Sequence, residues 1–247
     1  MSKKEGKGKF VMVDGLDGSG KGVIVTGLQK WAAKNNLKVF DLREHCKKHL
    51  DLPEVDDLDC DVILSAEPTY SHVGRVIREE LIKNSDTRKY SGHITAHAFS
   101  LDRKVLYKKV ILPALERGIH VFQERGVITS LVYQPMQMEE MLVGQILGMP
   151  GNKFAMENAP DLLVVTMLEP EEAIHRLAHR NSKQDDHIFE RLEFQKKVKD
   201  RYTSDWLREL FEKNGSIVHY FDTSSPMTPK DTEDGAIRLF EDFMKNH

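Results

Sequence analysis

The run Val11-Met12-Val13-Asp14-Gly15-Leu16-Asp17-Gly18-Ser19-Gly20-Lys21-Gly22 constrains this chain more than any other stretch. Apolar residues from Phe10 to Val13 read as a strand, a glycine-rich segment follows, and Val23 to Trp31 has helical spacing. Gly15 to Lys21 fits G-x-x-x-x-G-K, the phosphate-binding loop. Each part has a physical task. The glycines let backbone N–H groups turn inward around an anion. The helix N-terminus adds positive potential. Lys21 reaches the distal phosphates of a nucleotide. The usual pattern closes on Ser or Thr, whose hydroxyl holds Mg²⁺, but here Gly22 and then Val23 follow. The cradle Gly15, Leu16, Asp17, Gly18, Ser19, Gly20, Lys21, Gly22 is complete, and the hydroxyl ligand is missing.

A chain of 247 residues can bury a full core, and 40% hydrophobic with 30% charged residues suits a globular protein. The net charge of −3 gives no bulk attraction to polymeric nucleic acid. Cys46 and Cys60 make no disulfide framework, so a reduced, cytoplasmic setting is expected. No apolar run approaches the roughly 20 residues of a membrane span. The lysine-rich start, Met1 to Lys9, lacks the apolar stretch of a signal peptide and reads as a short solvated tail.

Strand and helix patterns alternate, which predicts an α/β fold with a parallel sheet. After the first helix (about 21–35), Leu37 to Leu42 is a short strand candidate, and Asp51 to Asp61 is acidic and reads as an exposed loop. Residues 41–61 together read as an insertion. Val62 to Leu64 is a strand ending at Ala66-Glu67-Pro68-Thr69, a turn because Pro68 disfavours helix at Glu67. Val73 to Ile82 has amphipathic helical spacing, Asn84 to Ser91 is a polar break, and Ile94 to Leu115 reads as one long helix. His120 to Gln123 is a strand closed by Glu124-Arg125-Gly126, and Ser130 to Met141 is helical with a break or kink at Pro135. Met149 to Pro160, with Pro, Gly and Asn, reads as a loop. Leu162 to Met167 is a buried strand, and Pro170 with its acids opens a helix carrying Arg176 and Arg180. Asn181 to His187 is a polar loop, Phe189 to Phe211 a long charged helix, Ile217 to Phe221 the last strand, and Thr232 to Lys245 the terminal helix.

Charges recur where strands end or helices face inward: Glu67, Asp102-Arg103, Glu124-Arg125 and Arg176/Arg180. Phosphoryl transfer needs cations around the equatorial oxygens and a carboxylate near the metal or the acceptor. Singly, each has a plainer reading as a surface ion pair or an ordinary turn. With the phosphate loop they form a set.

The ordered set resembles the thymidylate kinases, a family of P-loop nucleoside-monophosphate kinases. The resemblance covers nearly the whole chain. It runs through Gly15 to Lys21 with the internal Asp17, Glu67-Pro68 followed by Gly74-Arg75-Val76-Ile77-Arg78, and Phe99-Ser100-Leu101-Asp102-Arg103. It continues through Pro113 to Gly118, Glu124-Arg125 with Ser130-Leu131-Val132-Tyr133-Gln134, Pro160 to Arg176, and Phe189-Glu190 to Tyr202. The implied fold is a P-loop three-layer α/β/α sandwich over residues 1–247, with a parallel five-stranded sheet, a helical acceptor-binding region at about 70–110 and a lid at 178–190.

The resemblance also implies roles. Phe99 stacks on the acceptor base and Arg103 bonds its carbonyl edge; a spacing of four puts both on one helix face. Tyr133 packs on the sugar, Gln134 meets the base, and Glu67, Pro68, Arg78 and Ser130 complete the acceptor site. Lys21, Asp17, Glu124, Arg125 and Arg180 carry the chemistry, with Arg176 and Arg180 closing over the ATP phosphates. Asp17 and Glu124 are the implied protein ligands of Mg²⁺. ATP and a nucleoside monophosphate are the implied partners, dTMP above all, and family members pair as homodimers through the helices around Phe99 to Leu115. Another acceptor such as dUMP, or a non-catalytic nucleotide-binding protein, are the alternatives.

Four positions depart from the family pattern. Gly22 removes a hydroxyl. Ala66 stands where many members have an arginine that grips the acceptor phosphate, and Arg75 or Arg78 are candidates to replace it. Glu124 replaces an Asp. Gly126 replaces a Tyr, which opens space. Outside the resemblance, His45, Cys46, His49 and Cys60 include a His pair at metal-ligand spacing, with an exposed helix turn and one buried Cys as the plainer reading.

Overall fold

The computed structural model describes residues 6–83, 90–137, 141–180 and 188–247. Strand β1 (Phe10–Gly15) leads through the glycine loop into helix α1 (Lys21–Lys34). Then follow β2 (Val39–Asp41), α2 (Leu42–His49), β3 (Val62–Ala66), α3 (His72–Val76), α4 (Gly92–Leu106), α5 (Leu112–Glu116) and β4 (His120–Glu124). The second half is α6 (Val127–Gln137), α7 (Val143–Gly148), α8 (Pro150–Glu157), β5 (Leu162–Met167), α9 (Pro170–Arg180), α10 (Ile188–Tyr202), α11 (Asp205–Lys213), β6 (Ile217–Asp222) and α12 (Pro229–Asn246).

The strands form one parallel sheet in the order β2-β3-β4-β1-β5-β6. Among the described residues it has six strands, where five were expected. The short strand candidate at Leu37 to Leu42 is present as the edge strand β2, which the register Val39↔Val62 to Asp41↔Leu64 joins to β3. Period-two alternation splits the apolar strands between two cores. Val11, Val13, Leu64, Phe122 and Val164 face α1 and α12. Phe10, Met12, Ile63, Val121 and Val165 face the opposite layer, with Leu106, Tyr107, Ile128, Leu131 and Tyr202. Trp31 closes the first core edge-on against Phe240 at 4.6 Å. Each fully buried apolar side chain there contributes about 1.5–3 kcal/mol.

Three expectations about connections are corrected. Residues 51–61 are not simply an exposed loop, because Leu52 and Val55 are buried around a short 3₁₀ turn at Val55–Asp57. Residues 149–160 contain α8, since Pro150 sits at the helix start, where its missing N–H costs nothing. The stretch 189–211 is two helices, broken at Thr203 and Ser204. The helix expected at 94–115 is α4 continued through a wider i→i+5 turn at Tyr107–Ile111 into α5. Pro135 is accommodated inside α6.

Candidate active site

The glycine loop curls at the carboxyl end of β1, where open α/β sheets bind ligands. Gly18 and Gly20 have φ of 84° and 86°, the left-handed region that side chains disfavour. A Cβ at Gly18 would also lie 2.6 Å from the Ala173 carbonyl of α9. Ser19 bonds the Leu16 carbonyl at 2.7 Å, and Thr223 donates to the Ser19 carbonyl at 2.9 Å, so the loop is fixed from two sides. Lys21 Nζ donates to the carbonyls of Leu16 (2.7 Å) and Gly15 (3.2 Å) and lies 3.9 Å from Asp17. Burial first, and Arg125 second, lower its pKa to about 8. The Arg125 guanidinium meets the Asp17 carboxylate. Burial opposes the charge on Arg125, but Asp17 and Asp14 outweigh it and hold the guanidinium ionised.

Next to this loop lies a cavity of about 560 Å³. Asp17, Glu124 and Arg125 line its phosphate-loop end, and Phe99, Arg103, Ser130, Tyr133 and Gln134 line the rest together with Glu67, Pro68 and Arg78. The predicted acceptor residues are therefore brought together, although their side chains are engaged in ways the sequence does not foretell. Arg103 has only 1% exposure; all three of its nitrogens are occupied, by Glu67 (Nε at 2.7 Å), Asn152 and Ser130 (3.1 Å). Burial pushes the Glu67 carboxyl up to about 7, against the pull of Arg103. Arg78 stacks on Tyr70 at 3.8 Å and donates from Nε to the Pro68 and Thr69 carbonyls. Arg75 is exposed, pairs with Glu79 at 2.7 Å and does not line the cavity, so of the two candidates at Ala66 only Arg78 reaches it. Gln134 Oε1 is buried in the wall and makes no hydrogen bond among the described residues.

Position 126 is not open space. A Cβ there would lie 2.4 Å from Met12 Cε and 2.5 Å from its sulfur, so Met12 occupies the volume. Position 22 differs: a Cβ would stand 3.8 Å from Glu124 Oε2, in ordinary contact. Arg176 donates to Glu172 (2.6 Å) and to the Thr223 carbonyl (2.7 Å) and does not line the cavity. The side chain of Arg180 and residues 181–187 of the expected lid lie outside the described residues.

Sequence reasoning missed Asp14 and the residues of α2, and it did not foresee what Asp102 holds. Asp14 is fully buried and accepts from Gly15 N (2.8 Å), Tyr202 Oη (2.8 Å), Thr129 Oγ1 (2.6 Å) and Gly126 N (3.2 Å). It thus ties the phosphate loop to α6 and to α10. Asp102 accepts from Thr69 N and Oγ1, both at 2.7 Å, and fixes the turn after β3. Arg43, Glu44 and Lys47 of α2 also line the cavity. The motif neighbours of Asp14 and Asp102 were a signal for the first two; α2 offered none.

Hard oxygen donors suit Mg²⁺, which usually takes one or two carboxylates and completes its shell with phosphates and water. Asp17 and Glu124, on one cavity wall, fit that pattern. Among the described residues no group of three or more His, Cys, Asp or Glu is placed to hold a metal by itself. That answers the His45, Cys46, His49 and Cys60 candidate. His45 pairs with Asp51 at 3.0 Å, and Cys46 is buried with its thiol pushed up to about 11 by burial.

Residues 55–227 match the family described as thymidylate kinase. A probable thymidylate kinase of Pyrococcus abyssi is 34% identical over 212 residues, covering 83% of this chain and 85% of that one. A thymidylate kinase of Caldicellulosiruptor saccharolyticus is 30% identical over 194 residues, covering 78% and 80%. The crystal structure of a thymidylate kinase from Ehrlichia chaffeensis superposes with a TM-score of 0.60 at 16% identity, covering 95% of this chain and 99% of that one; it shares the fold.

Proposed function

The chain belongs to the thymidylate kinase family, and from that premise we propose that it transfers the γ-phosphoryl group of ATP to dTMP, giving dTDP and ADP. One observation carries the reading. A single cavity joins the phosphate-loop side chains Asp17, Glu124 and Arg125 to an aromatic and amide wall of Phe99, Tyr133 and Gln134, sized for a nucleotide. Donor phosphates meet acceptor phosphate at the first end, and the acceptor base lies at the second.

The protein's work in this reaction is positioning and charge neutralisation. Lys21 leaves the loop carbonyls for the transferred phosphoryl group. Arg125, held by Asp17, bridges donor and acceptor phosphates. Arg180 closes from the lid. Phe99 stacks on the base, Gln134 offers its unengaged Oε1 to a base N–H, and Tyr133 lies against the sugar. Arg103, with its three nitrogens engaged, holds the pocket wall beside the base. Asp17 and Glu124 would hold Mg²⁺, which would supply Lewis-acid neutralisation of the phosphates. Homodimer formation is proposed through the helices around Phe99 to Leu115, where Leu101 is 53% exposed. Among the described residues no helix is long and apolar enough to cross a membrane, and the cytoplasm is the proposed location.

The test is ADP release with ATP and Mg²⁺ across nucleoside and deoxynucleoside monophosphates. Turnover with dTMP that disappears in Lys21→Ala is the expected result. Turnover with another acceptor alone would reassign the substrate. ATP binding without turnover on any acceptor would overturn the proposal.

A further inference from the structure

The segment 41–61, read from the sequence as an insertion, opens with a helix whose charged face looks into the cavity. Helix α2 is seated by Leu42 and Cys46, exposed by only 2% and 1%. Its first turn is capped by Asp41, whose Oδ1 accepts from Arg43 N at 2.9 Å and from Glu44 N at 3.3 Å. With the core side pinned in this way, Arg43, Glu44 and Lys47 come to line the cavity wall.

Arg43 and Ala66 come from neighbouring elements of that wall. Asp41 is in register with Leu64 across β2 and β3. Arg43 follows in the first turn of α2, and Ala66 is the last residue of β3. Both line the cavity, and Ala66 contributes only a methyl group to it. The neighbouring strand ends at Glu124, registered with Ala66, and Arg125 follows it, so this rim is also the phosphate end of the cavity.

The Arg43 side chain is oriented before any ligand arrives. Asp41 takes its Nε at 3.0 Å and its Nη2 at 2.6 Å in a two-pronged bond, and the side chain is 22% exposed. Nη1 makes no hydrogen bond among the described residues. The other cations of the wall are engaged as well: Arg78 gives Nε and Nη2 to the Pro68 carbonyl and lies over Tyr70, and Arg125 gives one nitrogen, Nη2, to Asp17. Arg103 is taken up by Glu67, Asn152 and Ser130, and Lys47 pairs with Glu44 at 2.7 Å while lying over Tyr70. A guanidinium fixed along one edge and uncommitted along another is suited to a planar oxyanion.

We infer that Arg43, delivered by α2, binds the phosphate of the acceptor nucleotide at the place in the wall where β3 offers only Ala66. This rests on the proposed function above. It gives α2 a task in substrate recognition rather than in folding alone: the helix that follows the edge strand supplies the acceptor's phosphate contact. Asp41 is then a positioning residue, acting through Arg43.

Calorimetric titration of the full chain with dTMP and with thymidine tests it, since the two ligands differ by the phosphate. In Arg43→Ala the dTMP affinity falls by about tenfold or more, the usual loss for one charged hydrogen bond to phosphate, while thymidine affinity is unchanged. Arg43→Lys keeps the charge, loses the fork and recovers part of the loss. In Arg43→Ala/Ala66→Arg, a guanidinium restored from the adjacent strand recovers dTMP affinity. Unchanged dTMP affinity in Arg43→Ala overturns the inference and leaves the proposed function standing. Equal losses for dTMP and thymidine, in Arg43→Ala and Arg43→Lys alike, also overturn it, because a phosphate contact cannot act on thymidine. A wild-type chain that binds no nucleoside monophosphate overturns the proposed function and this inference together.

Discussion

Arg103 and Glu67 meet at 2.7 Å with side-chain exposures of 1% and 3%, an ion pair almost sealed from water inside the cavity wall. Two buried charges on their own would cost several kcal/mol each, and only the pairing with further hydrogen bonds makes them tolerable. Asn152 and Ser130 complete the shell of Arg103, and Gln123 Nε2 donates to Glu67 at 3.1 Å. Arg103→Ala therefore leaves a buried carboxylate unpaired. The expected loss in urea unfolding at pH 8 is about 3–5 kcal/mol. At pH 6 the loss is smaller, because Glu67, its pKa raised to about 7, already holds a proton and Arg103 no longer faces a full negative charge. A loss near zero at both pH values would contradict the pairing.

The same carboxyl sets a pH dependence. Its pKa is raised from 4.5 to about 7 by burial, so between those values the folded chain holds a proton that the unfolded chain releases. The stability from this group is present in full below about 4.5 and is lost as pH rises through about 7. The stability difference between wild type and Glu67→Gln, measured in urea from pH 5 to pH 8, should fall as pH rises. A difference that is flat over that window would show that Glu67 stays ionised throughout.

Lys21 shifts in the other direction. In the nucleotide-free chain its pKa is lowered to about 8, from 10.5, by burial and then by Arg125. Bound phosphates favour the ammonium form and return the pKa upward. Above pH 8 ATP binding must then take up a fraction of a proton, and affinity must decline as pH rises further. Calorimetry in two buffers of different ionisation enthalpy at pH 8.5 reads that uptake, and Lys21→Met should abolish it. Binding with no proton uptake in wild type would contradict the lowered pKa.

How much of this was legible beforehand depends on whether the signal is local. The phosphate loop is encoded in glycine spacing and a following lysine, so the sequence exposes it directly. Phe99 and Arg103 share a helix face by spacing alone, and both line the cavity. Helix α8 was hidden because Pro150 and Gly151 punctuate most chains as loops. Here Pro150 starts the helix, and a Cβ at Gly151 would lie 1.7 Å from the Ser100 carbonyl, so the glycine serves the close packing of α8 on α4. That packing delivers Asn152 to Arg103, a contact 49 residues apart with no local trace. Arg43 was hidden for a related reason: only the pairing of β2 with β3 brings α2 to the cavity. Asp14 reads as one more residue of the loop motif until Tyr202 arrives from 188 residues away.

Gly126 and Met12 supply the last prediction. The resemblance to the family implies open space at Gly126, yet Met12 fills it from β1, with its Cε and sulfur 2.4 and 2.5 Å from a Cβ placed at position 126. Gly126→Ala then displaces only the flexible end of Met12, at a cost near 1 kcal/mol, whereas Gly126→Tyr overpacks the turn by about 1–3 kcal/mol. If the two residues share one volume, shortening Met12 relieves the strain. Met12→Ala/Gly126→Tyr should lose less stability in urea than the sum of its single variants, with a coupling of about 0.5–3 kcal/mol. Strict additivity would mean that the tyrosine turns into the cavity instead, and dTMP affinity in Gly126→Tyr would then fall.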